Sequence, residues 1–261
     1  RVLGSVILLS AVVVVPSERA KRTLIEVYHA ERQRVVVIPH GVPDQMPEPN
    51  RNTSTIPSVG PEHVDASVSR STPHAPSRLR PPPGVPALSP ERRYVLVFGL
   101  LSPNKGVEYV IDAMPRIVSE VPNAHLLILG ATHPTLRAKC GESYRNALKV
   151  RAQEKGIGNS VTFIDAFLGP VELRDLFAKT DVVVVSTITV DQVMSSTLMT
   201  ALGAGCAVVS TAFRYAKSLQ SAAWNSEKAT LMQLVPFRDA SAIATMVTRL
   251  LTNSAERRGL Q

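Results

Sequence analysis

A single lysine, Lys105, stands in the stretch Tyr94–Gly106 (YVLVFGLLSPNKG), in a turn bounded by Gly99 and Gly106. Val95, Leu96, Val97 and Phe98 before it read as a buried strand. Val107, Val110, Ile111 and Met114 after it recur at helical spacing. Strand, glycine turn, lysine and helix start together can bind a phosphate. Backbone N–H groups and the positive end of the helix dipole face the anion, and the lysine adds a point charge. The same residues also fit an ordinary strand-to-helix turn with a solvated lysine.

A second group of polar residues follows another apolar run, Asp181–Val185. Ser195, Ser196 and Thr197 are of the type that begins a helix, here one running to about Ala204, where Gly203 and Gly205 stop it. Ala207–Val209 then restarts a strand. In a parallel sheet the carboxyl ends of all strands lie along one edge, where ligands bind. Both helix starts are therefore expected to face one crevice.

The elements that must position these groups alternate in type. Ala11–Val15 reads as a strand, Ser17–Ala30 as a helix with Ser17 as cap, and Val35–Ile38 as another strand. From about Gln45 to Pro90 Pro, Ser, Thr, Asn and Arg dominate, and apolar periodicity is lost. That composition predicts a disordered insert or long surface loop, with a proline-recognising partner or phosphorylation as the functional alternative. Beyond it the spacing predicts strands at Tyr94–Phe98, His125–Leu129, Val161–Ile164, Asp181–Val185, Ala207–Val209 and Leu231–Val235. Helices are predicted at Val107–Glu120, Thr135–Lys155, Val171–Lys179, Ser195–Ala204 and Ala240–Leu251, with a kink or early break at Pro115. Apolar strands alternating with amphipathic helices mean a parallel α/β sheet wrapped on both faces.

Several segments, taken in order, carry a family resemblance: PHGV (Pro39–Val42), FGLLSPNKG (Phe98–Gly106), LLILGATHP (Leu126–Pro134), SSTLMTALGAGCAVVST (Ser195–Thr211) and LVPFRD (Leu234–Asp239). From about Ala11 to the C-terminus, the insert aside, the chain resembles the retaining glycosyltransferases of family 4 (glycosyl transferases group 1), which have the GT-B fold. The resemblance implies three parts. Residues 1–42 are the end of an N-terminal acceptor domain, 43–92 a Pro/Ser-rich insert or linker, and 93–261 a Rossmann-like domain for the nucleotide-sugar donor.

It also implies roles. Gly99, Asn104, Lys105 and Gly106 would hold the donor diphosphate, Asn104 by a phosphate contact or by forming the turn. Gly130, Gln192, Ser195, Ser196, Thr197 and Thr200 would hold the donor sugar and nucleotide. His133, in GATHP, reads more simply as a loop histidine. His40 and Gly41 fall where the family crosses between domains. His40 reads as a cleft contact or a backbone-bonded turn histidine, Gly41 as the hinge. The sequence departs from the family where an arginine usually follows the first glycine of the turn, which is Leu100 here. The two usual glutamates fall on Gln192 and Thr200, neither of which carries charge.

The implied activity is transfer of a sugar, with retention, from a nucleoside-diphosphate sugar to a hydroxyl acceptor: a glycan, a lipid or a small molecule. Lys105 would stabilise the leaving diphosphate. No paired-aspartate metal motif appears in the sequence, so neither metal nor resident cofactor is expected. No residue stands out as a general base, because acceptor-side chemistry belongs to the N-terminal domain in the resembled family. Leu100, Gln192 and Thr200 motivate a second reading, a non-catalytic nucleotide-binding remnant or interaction protein. A third is another enzyme of the same fold, such as an epimerase or a pyridoxal-phosphate phosphorylase.

Bulk properties agree with these readings. A formal charge of +8 and a pI near 9.8 suit anionic ligands, among them nucleotide sugars and anionic membrane surfaces. The basic residues are dispersed among acids without interleaved aromatics, which argues against nucleic acid. Cys140 and Cys206 form neither a disulfide framework nor a metal spacing, and Cys206 reads as core. The apolar Val2–Val15 is short for a bilayer span and broken by Gly4, Ser5 and Ser10. It is expected to be part of a preceding nucleotide-fold domain, in a piece of a larger enzyme resident in the cytoplasm, with peripheral membrane contact at most.

Overall fold

The structure, a computed structural model, describes residues 12–38, 85–225 and 230–261. His40, Gly41 and residues 43–84 of the expected insert or linker lie outside the described residues, as does the chain before residue 12. A first unit holds β1 (Val13–Val15), α1 (Glu18–Tyr28) and β2 (Val35–Val37). β1 and β2 pair in parallel, and α1 packs Leu24 against Val15, Ala30 and Val35. Ser17 caps α1 as expected, its hydroxyl accepting from the Ala20 N–H at 3.2 Å.

The remaining elements are β3 (Arg93–Phe98), α2 (Val107–Glu120), β4 (Ala124–Leu129), α3 (Pro134–Cys140), α4 (Ser143–Glu154), β5 (Val161–Ile164) and α5 (Pro170–Ala178). They continue with β6 (Val182–Val185), α6 (Ser196–Gly203), β7 (Val208–Thr211), α7 (Arg214–Asn225), β8 (Gln233–Val235), α8 (Ala240–Thr252) and α9 (Ser254–Gly259). The six strands from β3 to β8 form one wholly parallel sheet in the order β5-β4-β3-β6-β7-β8. Strand order reverses between β3 and β6, and a Rossmann-like sheet opens its crevice at that point.

Near-continuous Val and Leu in these strands follow from burial on both faces. Val95, Val97, Leu126, Ile128, Val182 and Val184 face α2, α4 and α8. Tyr94, Leu96, Leu127, Leu129, Val183 and Val185 face α5, α6 and the start of α7. Cys206 lies in this second core, and burial pushes its thiol up to about 12, as a core cysteine requires.

Three local expectations are corrected. α2 runs through Pro115 to Glu120 without an early break. The proline costs about 3 kcal/mol of lost helix bonding. Val110, Ile111, Met114 and Ile117 are fully buried on that helix and contribute roughly 1.5–3 kcal/mol each, so packing prevails. The single helix expected over Thr135–Lys155 is two, α3 and α4, parted at Gly141, whose φ of 60° leaves helical space. α7 and α9 were not anticipated from periodicity; α7 fills the connection between β7 and β8.

Candidate functional site

The chain leaves β3 through Gly99, whose φ of 111° only glycine adopts without strain. The turn stays zipped to the segment leaving β4. Gly99 N–H donates to the Leu129 carbonyl at 3.0 Å, Leu101 N–H to Ala131 at 2.9 Å, and His133 N–H to Leu101 at 2.9 Å. Gly130 has φ 142°, and a Cβ there would collide with the Gly99 carbonyl oxygen. A Cβ on Gly99 would lie 3.3 Å from Thr197 Oγ1. These two glycines let the exits of β3 and β4, and the start of α6, come together.

The lysine turn is held from the other side. Pro103–Lys105 form one 3₁₀ turn that ends at Gly106, with φ 62°. The Asn104 carbonyl accepts from Ile188 N–H at 2.9 Å and from the Thr187 hydroxyl at 3.1 Å, and the Lys105 carbonyl accepts from Ser186 Oγ at 2.8 Å. A Cβ on Gly106 would collide with the Ser186 carbonyl. The turn after β3 is thus fixed by backbone to the loop after β6, and the Lys105 side chain is left to project. Burial lowers the Lys105 pKa below the ordinary lysine value. No carboxylate among the described residues forms an ion pair with it.

Above these turns lies a cavity of about 860 Å³ over the carboxyl ends of β3, β4 and β5. Gly99, Asn104, Lys105, Gly130, Ser196, Thr197 and Thr200 line it, as do Leu100 and His133. As the first two residues of α6, Ser196 and Thr197 leave their N–H groups outside the intrahelical ladder. The lining includes the cations Lys105 and Lys139 but no aspartate or glutamate. Such a wall favours an anion.

Three of the expected site residues sit elsewhere. Gly106 is behind the turn, where its role is backbone geometry. Ser195 is buried as the α6 cap, its hydroxyl accepting from Leu198 N–H at 3.1 Å. Gln192 is absent from the cavity lining. Its amide oxygen, 3.0 Å from Thr187 Oγ1, shares that hydroxyl's single proton with the Asn104 carbonyl, and its amide N–H donates to the Met194 carbonyl at 2.7 Å, which fixes the loop before α6.

Sequence reasoning missed Lys139, Phe167 and Arg145. Phe167, 91% exposed, stands at the cavity wall after β5; an aromatic in a strand-to-helix loop was its one signal. Arg145 is 3% exposed, and its guanidinium links two walls. Nη2 donates to the Gly130 carbonyl at 2.7 Å and to Asp165 at 2.8 Å, while Nε donates to Glu142 at 3.0 Å. Glu142 also pairs with Arg137 at 3.3 Å. Hydrogen bonds from Thr132 and then from Arg145 hold its carboxyl below the usual range. Among the described residues no three His, Cys, Asp or Glu side chains group as metal ligands would, and no helix is long and apolar enough to cross a membrane.

A family model described as glycosyl transferases group 1 matches residues 92–253. No curated protein matches the chain. Among solved structures, HepE of Anabaena, in complex with UDP and glucose, is similar at TM-score 0.66 and 15% identity, over 96% of this chain and 56% of that one. Sucrose-phosphate synthase of Thermosynechococcus elongatus is similar at TM-score 0.67 and 19% identity, over 99% of this chain and 53% of its own. The C-terminal domain of a glycosyl transferase group 1 family protein from Francisella tularensis (LpcC) is similar at TM-score 0.51 and 18% identity, over 64% of this chain and 80% of that domain. At these identities the likeness is one of fold, the GT-B architecture. The chain spans little more than half the length of the first two structures.

Proposed function

Since the chain belongs to the glycosyl transferases group 1 family, we propose that its cavity binds a nucleoside-diphosphate sugar and that the whole protein transfers the sugar, with retention, to a hydroxyl acceptor. The observation that carries this reading is the acid-free cavity at the strand-order reversal, with the unpaired, half-buried Lys105 at its edge. The UDP and glucose held by the Anabaena relative support the ligand class.

In this reading the Lys105 ammonium and the free N–H groups of Ser196 and Thr197 stabilise the diphosphate as negative charge develops on it. They are held in place beforehand by the turn's backbone bonds, so little reorganisation is needed. The division of labour follows the sequence: residues 93–261 supply the donor half, 1–42 belong to an acceptor domain and 43–92 join them. The assignment to family 4, a hexosyl donor, transfer without metal or resident cofactor, a glycan, lipid or small-molecule acceptor, and cytoplasmic residence with peripheral membrane contact are parts of the same proposal.

Gln192 motivates the competing reading, a nucleotide-binding remnant, because its amide is spent on Thr187 and Met194 rather than on the cavity. Thermal unfolding of the chain against GDP, UDP, ADP and their sugar derivatives tests the donor site that both readings share, and sugar transfer by the whole protein, abolished in Lys105→Ala, decides between them. A ligand at 100 times its Kd stabilises by about 2.7 kcal/mol, or roughly 5–10 °C for a protein of this size. The proposal expects such a shift with one base and its loss in Lys105→Ala. A cooperative melt that no nucleotide moves would overturn it.

A further inference from the structure

Lys139 is a second cation of the cavity, without an ion-pair partner among the described residues. It lies in the last turn of α3, on the wall that follows β4, whereas Lys105 belongs to the turn that follows β3. Glu142, the acid nearest to it along the chain, is already engaged by Arg137 at 3.3 Å, by Arg145 at 3.0 Å and by the Thr132 hydroxyl. Asp165, on the neighbouring loop, is taken by Arg145 at 2.8 Å. Both of these acids are thus committed elsewhere. Lys139 forms no ion pair among the described residues. Leu100, in the Lys105 turn, lines the same cavity with an apolar side chain and offers an anion nothing.

Two lysines carried by separate elements, with no acid between them in the lining, suit a ligand with two linked anionic groups better than one with a single group. Lys105 is anchored by its backbone and reaches one of them. Lys139 has a flexible stem and an exposed head, able to follow the other. We propose that Lys139 is a binding residue for the second phosphate of a nucleoside diphosphate and sets the preference for diphosphates over monophosphates. This rests on the donor-site reading above and specifies it.

The test is isothermal titration of the whole chain with UDP, GDP and ADP and with the matching monophosphates, at two salt concentrations. The variants are Lys139→Met, Lys139→Arg and Lys105→Ala. Lys139→Met is expected to weaken the bound diphosphate about tenfold, within the range of one charged contact. It should flatten the salt dependence and leave the monophosphate within about twofold, and Lys139→Arg should restore the diphosphate affinity. Diphosphate affinity unchanged in Lys139→Met but reduced in Lys105→Ala would overturn the assignment and leave the donor site standing. Equal losses for mono- and diphosphates would overturn the claim of selectivity. Failure of every nucleotide to bind the unsubstituted chain would overturn the donor-site reading itself.

Discussion

Replacing Gly130 by alanine tests whether the exits of β3 and β4 are locked together. Two costs add. At φ 142° an L-residue is strained, which costs about 1–3 kcal/mol. The new Cβ also meets the Gly99 carbonyl oxygen, and that oxygen has little room to retreat. Gly99 N–H is tied to Leu129 at 3.0 Å and Leu101 N–H to Ala131 at 2.9 Å, while Gly130 N–H is tied to Ile164 at 2.9 Å. Overpacking of this kind costs about 1–3 kcal/mol, so the total is about 2–6 kcal/mol. Gly156 supplies the control, because it has φ 71° and nothing within 4 Å of its would-be Cβ. Gly156→Ala should cost only the strain, about 1–2 kcal/mol. Urea unfolding followed by circular dichroism measures both, with unchanged m-values as the check on comparability. If Gly130→Ala costs no more than Gly156→Ala, the close approach of the two glycine backbones is not rigid and the account of the turn fails.

Two further predictions concern buried charge. Arg145→Met strands the Gly130 carbonyl and takes one partner each from Glu142, which keeps Arg137 and Thr132, and from Asp165. It should cost about 1–3 kcal/mol in urea unfolding, the range for leaving a buried carbonyl without its charged donor; a cost below 1 kcal/mol would refute the linking role. His125 is held at about 4, below its ordinary 6.5, by burial and then by the charge of Arg92. Its Nδ1 accepts from Arg92, so Nε2–H donates to Thr162 Oγ1 at 2.7 Å. The neutral ring therefore contributes stability above pH 6.5 that is lost as the pH falls toward 4. Unfolding curves across that window should be less pH-dependent in His125→Gln, and an unchanged slope would show that another group governs the fall.

The fold was legible because its signal is local. Strands such as Val182–Val185 are uninterrupted valine, and α2 carries its buried face at plain helical spacing. Errors arose where one residue competes with its neighbours. Pro115 was given too much weight against four buried side chains, and Gly141 too little against good helix formers on both sides. The glycine–lysine turn could be read because its parts adjoin in sequence, and seven of the expected site residues line the cavity. Lys139 and Arg145 could not be read so, because the fold folds them back over strand exits to which they are not adjacent in sequence. The glycines in the turns were recognisable, but which side chains those turns bring together was not.

Apart from His125 in β4, the buried residues on both faces of β3, β4 and β6 are apolar, so sliding one strand past its neighbour by a residue would largely exchange one core for the other. Hydrophobicity alone therefore leaves the alignment of the sheet undecided. The interlocking of Gly99 with Gly130 and the backbone bonds around it supply the missing key. A descendant that had abandoned its chemistry would still have to keep those glycines to fold. The side chains of Lys105 and Lys139 form no ion pair among the described residues, and selection for folding alone gives no reason to retain them. On the roles proposed above, the two lysines, not the glycines, are the markers among related chains by which a working copy would be told from a silent one.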